Sequence, residues 1–110
     1  MTDRQLLELA AAAAGLSPDL FTWDEQTECI KYQYKSELTD GHLWNPLTDD
    51  GDALRLAVKL GIHLQFAMDY AVAYAGSVHA KQFTERCGND EKAATRRAIV
   101  RAAAEIGKAA

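Results

Sequence analysis

The stretch Trp44-Asn45-Pro46-Leu47-Thr48-Asp49-Asp50-Gly51-Asp52-Ala53-Leu54-Arg55-Leu56-Ala57-Val58-Lys59-Leu60-Gly61 constrains this chain more than any other, because it specifies a loop, a helix start and a helix stop in that order. Pro46 excludes Asn45 from the helical region. Asp49, Asp50 and Asp52 gather where the positive end of a helix dipole falls, and Gly61 supplies a left-handed stop at little steric cost. The predicted helix runs from about Asp50 to Leu60 and is expected to be the hub of the fold.

The chain has 110 residues, the size of one domain with one core. Of these 48% are apolar, yet 20 residues are alanine, which buries little surface. Core material must come from the leucines, isoleucines, valines and aromatic residues, so the helices are expected to pack closely through alanine faces onto a small sheet. The formal net charge of -4 argues against a general nucleic-acid binder, whose footprint is basic. No run approaches the roughly 20 apolar residues that cross a bilayer. The opening Met1-Thr2-Asp3-Arg4 lacks the basic and then apolar segments of a signal peptide. A cytoplasmic location with no membrane partner is the expectation. Cys29 and Cys87 are too far apart in sequence to define a disulfide framework and are read as free thiols.

Thr2-Asp3-Arg4-Gln5 fits a capping box. Leu6, Leu9, Ala10, Ala13 and Leu16 recur at helical spacing before Gly15 and Pro18, which predicts a first helix over about Asp3 to Ala14. Leu20 to Glu25 has no clean period and reads as a loop with two apolar anchors. From Glu28, Ile30, Tyr32 and Tyr34 alternate with Lys31, Gln33 and Lys35, the period of a strand with one wet face. Asp40-Gly41 signals a turn.

After Gly61 a longer alternation sets Ile62, Leu64, Phe66, Met68, Tyr70, Val72 and Tyr74 against His63, Gln65, Ala67, Asp69, Ala71 and Ala73. One strand of that length would span roughly 43 Å at ~3.3 Å per residue. A break at Asp69 or Gly76 is therefore expected, giving a hairpin over about Ile62 to Ala75, or one strand to about Met68 followed by a second. Residues 77–88 carry no readable pattern. Asn89 or Asp90 can cap a last helix, with Ala94, Ala98, Ile99, Ala102, Ala103 and Ile106 as its buried stripe and Gly107 as its stop, over about Asp90 to Ile106.

Two segments carry a resemblance. The central run Trp44 to Val58 and the terminal run Ala94-Thr95-Arg96-Arg97-Ala98-Ile99-Val100-Arg101-Ala102-Ala103-Ala104-Glu105-Ile106-Gly107 together resemble the phage ABA sandwich domain, a family of small tailed-phage and prophage proteins. The resemblance covers about a quarter of the chain. It implies a sheet held between helical layers and a phage or prophage source, and it implies no activity, because that family is one of unknown function.

Asp49, Asp50 and Asp52 beside Gly51 do not have the alternating oxygens, sixth-position glycine and twelfth-position glutamate of an EF-hand. They read as caps and dipole partners, each stabilising by roughly 0.3 to 1 kcal/mol. His42, His63, His79, Cys29 and Cys87 show no short zinc spacing. A cysteine–histidine nucleophile pair would need an electropositive setting that neither cysteine has in sequence. No metal, cofactor or catalytic residue is implied.

Arg96, Arg97 and Arg101, with Lys92 and Lys108, make the last helix the most basic element. At about 100° per residue Arg97, Arg101 and Lys108 share one arc, with Arg96 and Lys92 on another side. The bland reading is a solvated face, with Glu105 pairing Arg101. The functional readings are a phosphate-contacting surface, or an arginine that reaches back to the acidic head of the central helix. Trp44 is expected to staple its loop to the core; left exposed beside the acids it would mark a partner site.

The sequence thus predicts an α+β domain, three helices on a small, mainly antiparallel sheet in the order α-β-α-β-β-α. Two functions fit it. One is an accessory protein without an active site that binds a host or phage protein, or itself, through some of Trp44, Asp49, Asp50, Asp52, Arg96, Arg97 and Arg101. The other is a nucleic-acid-associated protein, which requires the three arginines on a common positive surface.

Overall fold

The capping box forms as the residues specify: the Gln5 amide donates to the Thr2 hydroxyl at 3.1 Å, and the Thr2 amide donates to the Gln5 side-chain oxygen at 2.8 Å. Helix α1 follows over Asp3–Ala13 in a computed structural model that describes residues 1–16, 19, 21–32, 43–76 and 81–109. Pro18, the expected strand end at Tyr34, the Asp40-Gly41 turn, His42 and His79 lie outside the described residues.

Strands β1 (Phe21–Asp24), β2 (Cys29–Tyr32) and β3 (Leu43–Trp44) form an antiparallel sheet in that order. The segment read as a loop after Leu20 is therefore a strand. Four residues are too few to show a period, and β1 is decided by its pairing with β2 rather than by its own pattern. Its turn is held by Asp24, which accepts from the Thr27 hydroxyl at 2.6 Å. That bond is the main cause of the lowered Asp24 pKa. Across the sheet the Tyr32 ring meets Phe21 and Trp44 edge-on, at 6.0 Å and 6.3 Å between centroids.

Helix α2 spans Asp50–Leu60, with Gly61 in the left-handed conformation at φ 64°. It runs straight into β4 (Ile62–Ala67), which pairs antiparallel with β5 (Tyr70–Ala75), and β5 with β6 (Phe83–Arg86). The long alternation breaks at Met68-Asp69, as its length demands in a molecule whose greatest extent is 40 Å. Strand β6, hidden in the unreadable segment, is again only four residues long.

The turn corrects the faces expected for this hairpin. Two residues between the strands pair Leu64 with Ala73 and Phe66 with Ala71. Residues opposite one another share a face, so even positions of β4 join odd positions of β5. Ile62, Leu64, Phe66, Ala71, Ala73, Ala75 and Phe83 form one face. His63, Gln65, Tyr70, Val72, Tyr74 and Thr84 form the other, with the His63 and Tyr74 rings stacked at 5.1 Å.

Helix α3 covers Glu91–Ala109. Asp90 caps it, accepting from the Ala93 amide at 2.9 Å. The helix continues past Ile106, and Gly107 is not its stop. Gly107 is buried, and a Cβ built on it would lie 2.1 Å from the Leu9 carbonyl oxygen. Its missing side chain lets α1 lie against α3, the two running in the same direction with Asp3 beside Arg97 and Leu9 beside Gly107.

The hub of the fold is α3 rather than α2: α1, α2, β5 and β6 all pack on it. Alanine makes this possible, since Ala98, Ala102, Ala103 and Ala104 of α3 and Ala10 and Ala11 of α1 are all buried. Leu7, Ile30, Trp44, Leu56 and Val100 supply the bulk of the core. The result, among the described residues, is an α+β fold of three helices and two three-stranded antiparallel sheets.

Candidate interaction surface

The acidic head of α2 is engaged in holding its own loop. Asp49 caps the helix, accepting from the Asp52 amide at 2.8 Å. Asp52 is buried, accepting from the Asn45 amide at 2.9 Å and from the Arg55 guanidinium at 2.7 Å. Burial nevertheless raises its pKa, against the pull of those two donors. Asn45 closes the loop by accepting from the Leu47 amide through its side chain and from the Asp49 amide through its carbonyl. Pro46 is fully buried.

The three arginines divide among three carboxylates. Arg96 reaches back to α2, donating to Asp50 at 2.6 Å and to the Leu47 carbonyl at 2.8 Å. Arg97 pairs with Asp3 at 3.2 Å. Arg101 pairs with Glu85 and lies over the Phe83 ring, so it does not pair with Glu105 as the helix spacing suggested; Glu105 instead faces Lys81 and Lys108. The strand that carries Glu85 was not readable, and with it went the partner. No common positive surface results from these three side chains.

Trp44 is fully buried, packed edge-on to Tyr32. It staples the loop to the core and presents nothing to a partner. Of the sequence-predicted surface residues, Asp50 and Arg96 meet at the rim of a groove, and the others serve the fold.

That groove is distinguished by its apolar lining. It lies between α2, β4 and the first turns of α3, with a volume of about 350 Å³, and Ala53, Leu54, Leu64, Phe66 and Ile99 give it an apolar lining. Polar groups stand at its rim, with Asp50 and Arg96 at one end and Glu91 and Lys92 nearby. The apolar surface continues beyond it: Leu54 is 62% exposed, Val58 75%, Phe66 62% and Met68 fully exposed. Together with Leu64 these residues, main chain included, leave on the order of 700 Å² in contact with solvent, the same scale as the roughly 300–600 Å² of the largest apolar patch on a typical monomer.

Two features of the hairpin make this patch unlike scattered surface hydrophobics. Met68 sits at φ 55°, a conformation glycine adopts far more readily, so its bulky exposed side chain is kept at a conformational cost. Strand β4 is an edge strand, and among the described residues no strand pairs with its outer side. The patch had one legible signal. Leu54 and Val58 stand one turn apart on the side of α2 away from its buried face of Asp52, Ala53, Leu56 and Ala57, a second apolar stripe that the core does not need.

The remaining chemistry-bearing residues are dispersed. Cys29 is buried with its Sγ 2.9 Å from the Thr27 hydroxyl, and Cys87 is half-buried; both are free thiols. Burial, followed by the negative charges of Asp69 and Glu91, raises the pKa of Cys87, which works against thiolate chemistry. Among the described residues no cluster of His, Cys, Asp and Glu is arranged to hold a metal ion, and no helix is long and apolar enough to cross a membrane. Compared with protein-family models, curated proteins and solved structures, the chain matches none.

Proposed function

We propose that this protein is a small phage or prophage accessory protein of the host cytoplasm that acts by binding protein rather than by catalysis, and that it binds through the apolar surface of α2 and β4. The phage assignment rests on the sequence resemblance to the ABA sandwich family, with which the α+β fold agrees. The binding assignment rests on one observation: Leu54, Val58, Leu64, Phe66 and Met68 form an apolar patch that the molecule's own core leaves uncovered. A rimmed apolar patch on this scale marks an interaction site, and a protein interface is one kind of such site. The nucleic-acid alternative draws no support, since Arg96, Arg97 and Arg101 are each committed to a carboxylate.

Site-specific photo-crosslinking tests the reading. A benzophenone side chain placed at Met68 or Leu54 is expected to give a discrete protein adduct in the host cell, and one at the exposed Glu25 on the first sheet's turn is expected to give none. Equal labelling from all three positions, or none from Met68 and Leu54, would contradict it.

A further inference from the structure

We infer that the occupant of this surface is a second copy of the chain, joined by antiparallel pairing of β4 with β4 about a two-fold axis at Leu64. The inference rests on the protein-binding reading above and names its partner. The first support is the edge itself. Strand β4, Ile62-His63-Leu64-Gln65-Phe66-Ala67, has no lysine, aspartate, glutamate or proline, and its register with β5 runs without a bulge. Charged side chains, proline and bulges are among the devices by which exposed edges are kept from pairing, and β4 has none of these.

The second support is register. In a hairpin with a two-residue turn the closing pair, Ala67 and Tyr70, exchanges both backbone hydrogen bonds, so Ala67, Gln65 and His63 turn their amides toward β5. Phe66, Leu64 and Ile62 then turn theirs outward. Pairing about a two-fold axis must set residues of one face against residues of the same face. A register centred on Leu64 sets Leu64 against Leu64, Ile62 against Phe66 and His63 against Gln65 of the second copy. It uses all three outward-turned residues. On the helix side apolar meets apolar, and on the other side polar meets polar.

The third support is area. The exposed patch of on the order of 700 Å² is close to the roughly 800 Å² that each partner contributes to a standard-size interface. Helix α2 lies on the helix side of β4, where Leu54 shares the groove with Leu64 and Phe66. A continuous sheet therefore brings the Leu54 and Val58 stripes of the two copies toward each other across the axis, adding a helix contact to the strand pairing.

A charge swap at the axis tests this, because only a two-fold through residue 64 places that residue against itself. Sedimentation equilibrium should find the wild-type chain dimeric in the micromolar range. Leu64→Lys and Leu64→Glu should each be monomeric, with dissociation constants raised on the order of 100-fold by like charges at the axis. Far-UV circular dichroism should show both still folded, since Leu64 is already partly exposed. Mixed in equal amounts, the two variants should recover the dimer. A monomeric wild type, variants that stay dimeric, or a mixture that stays monomeric would each overturn the inference. The crosslinking experiment separates this failure from the broader one: an adduct to a different protein leaves the binding reading standing without self-association, and no adduct at all removes both.

Discussion

Replacing Gly107 by alanine tests whether the α1–α3 contact is as close as the structure has it. Inside an ordinary exposed helix the change would stabilise by about 0.8–1 kcal/mol, through helix propensity alone. Here the added methyl carbon would stand 2.1 Å from the Leu9 carbonyl oxygen, 2.8 Å from its carbon and 3.3 Å from its Cα. All three are backbone atoms, so no rotamer change relieves the clash and α1 has to move away from α3. That movement loosens the buried face formed by Leu6, Leu7, Ala10 and Ala11 and strains the Arg97–Asp3 pair. Overpacking of this kind costs about 1–3 kcal/mol and occasionally more, which outweighs the propensity gain. The net expectation is a loss of about 1–3 kcal/mol, read from urea melts followed by circular dichroism, with a fall in Tm of several degrees. A Gly107→Ala protein as stable as wild type, or more so, would refute the close approach and the parallel packing derived from it.

Two further outcomes follow from single residues. Met68→Gly should stabilise the fold by about 0.5–1 kcal/mol, because glycine accepts φ 55° without strain, while weakening association through the loss of an exposed apolar side chain; a variant with lower Tm or unchanged association would contradict the reading. Asp52 titrates above its usual value of 3.8 because it is buried, so its contribution to stability is fully present below that value and is lost as pH rises through the raised one. Asp52→Asn removes this dependence, and the stability gap between wild type and variant should narrow from acid to neutral pH; a gap that widens would show the carboxylate to be favoured by its donors.

What the sequence made legible was local. Thr2 and Gln5, Asp49 and Gly61 state helix ends in terms of backbone hydrogen bonds and a positive φ, and both helix boundaries fell where those residues put them. The hairpin was legible because thirteen alternating positions exceed what one strand can span. Its faces were not, because a turn with an even number of residues pairs even positions with odd ones while one with an odd number does not, and the alternation continues unbroken through the turn. Gly107 was misread for a related reason: a glycine near a helix end has two explanations, a terminator or a close approach, and only the position of Leu9 decides between them. Strands β1 and β6 are short enough that pairing rather than pattern defines them. The groove joins side chains from three elements, and the Leu54–Val58 stripe was the part of it written in one segment.

Residue-resolved hydrogen exchange across a dilution series tests most directly that this molecule works through the outer edge of β4. The amides of Gln65 and His63, which face β5, should be protected at every concentration. Those of Leu64 and Phe66 should be protected when the protein is concentrated and exchange at nearly the rate of an open chain when it is dilute. Leu64 and Phe66 amides that exchange rapidly at all concentrations would contradict the pairing of β4 with a second copy.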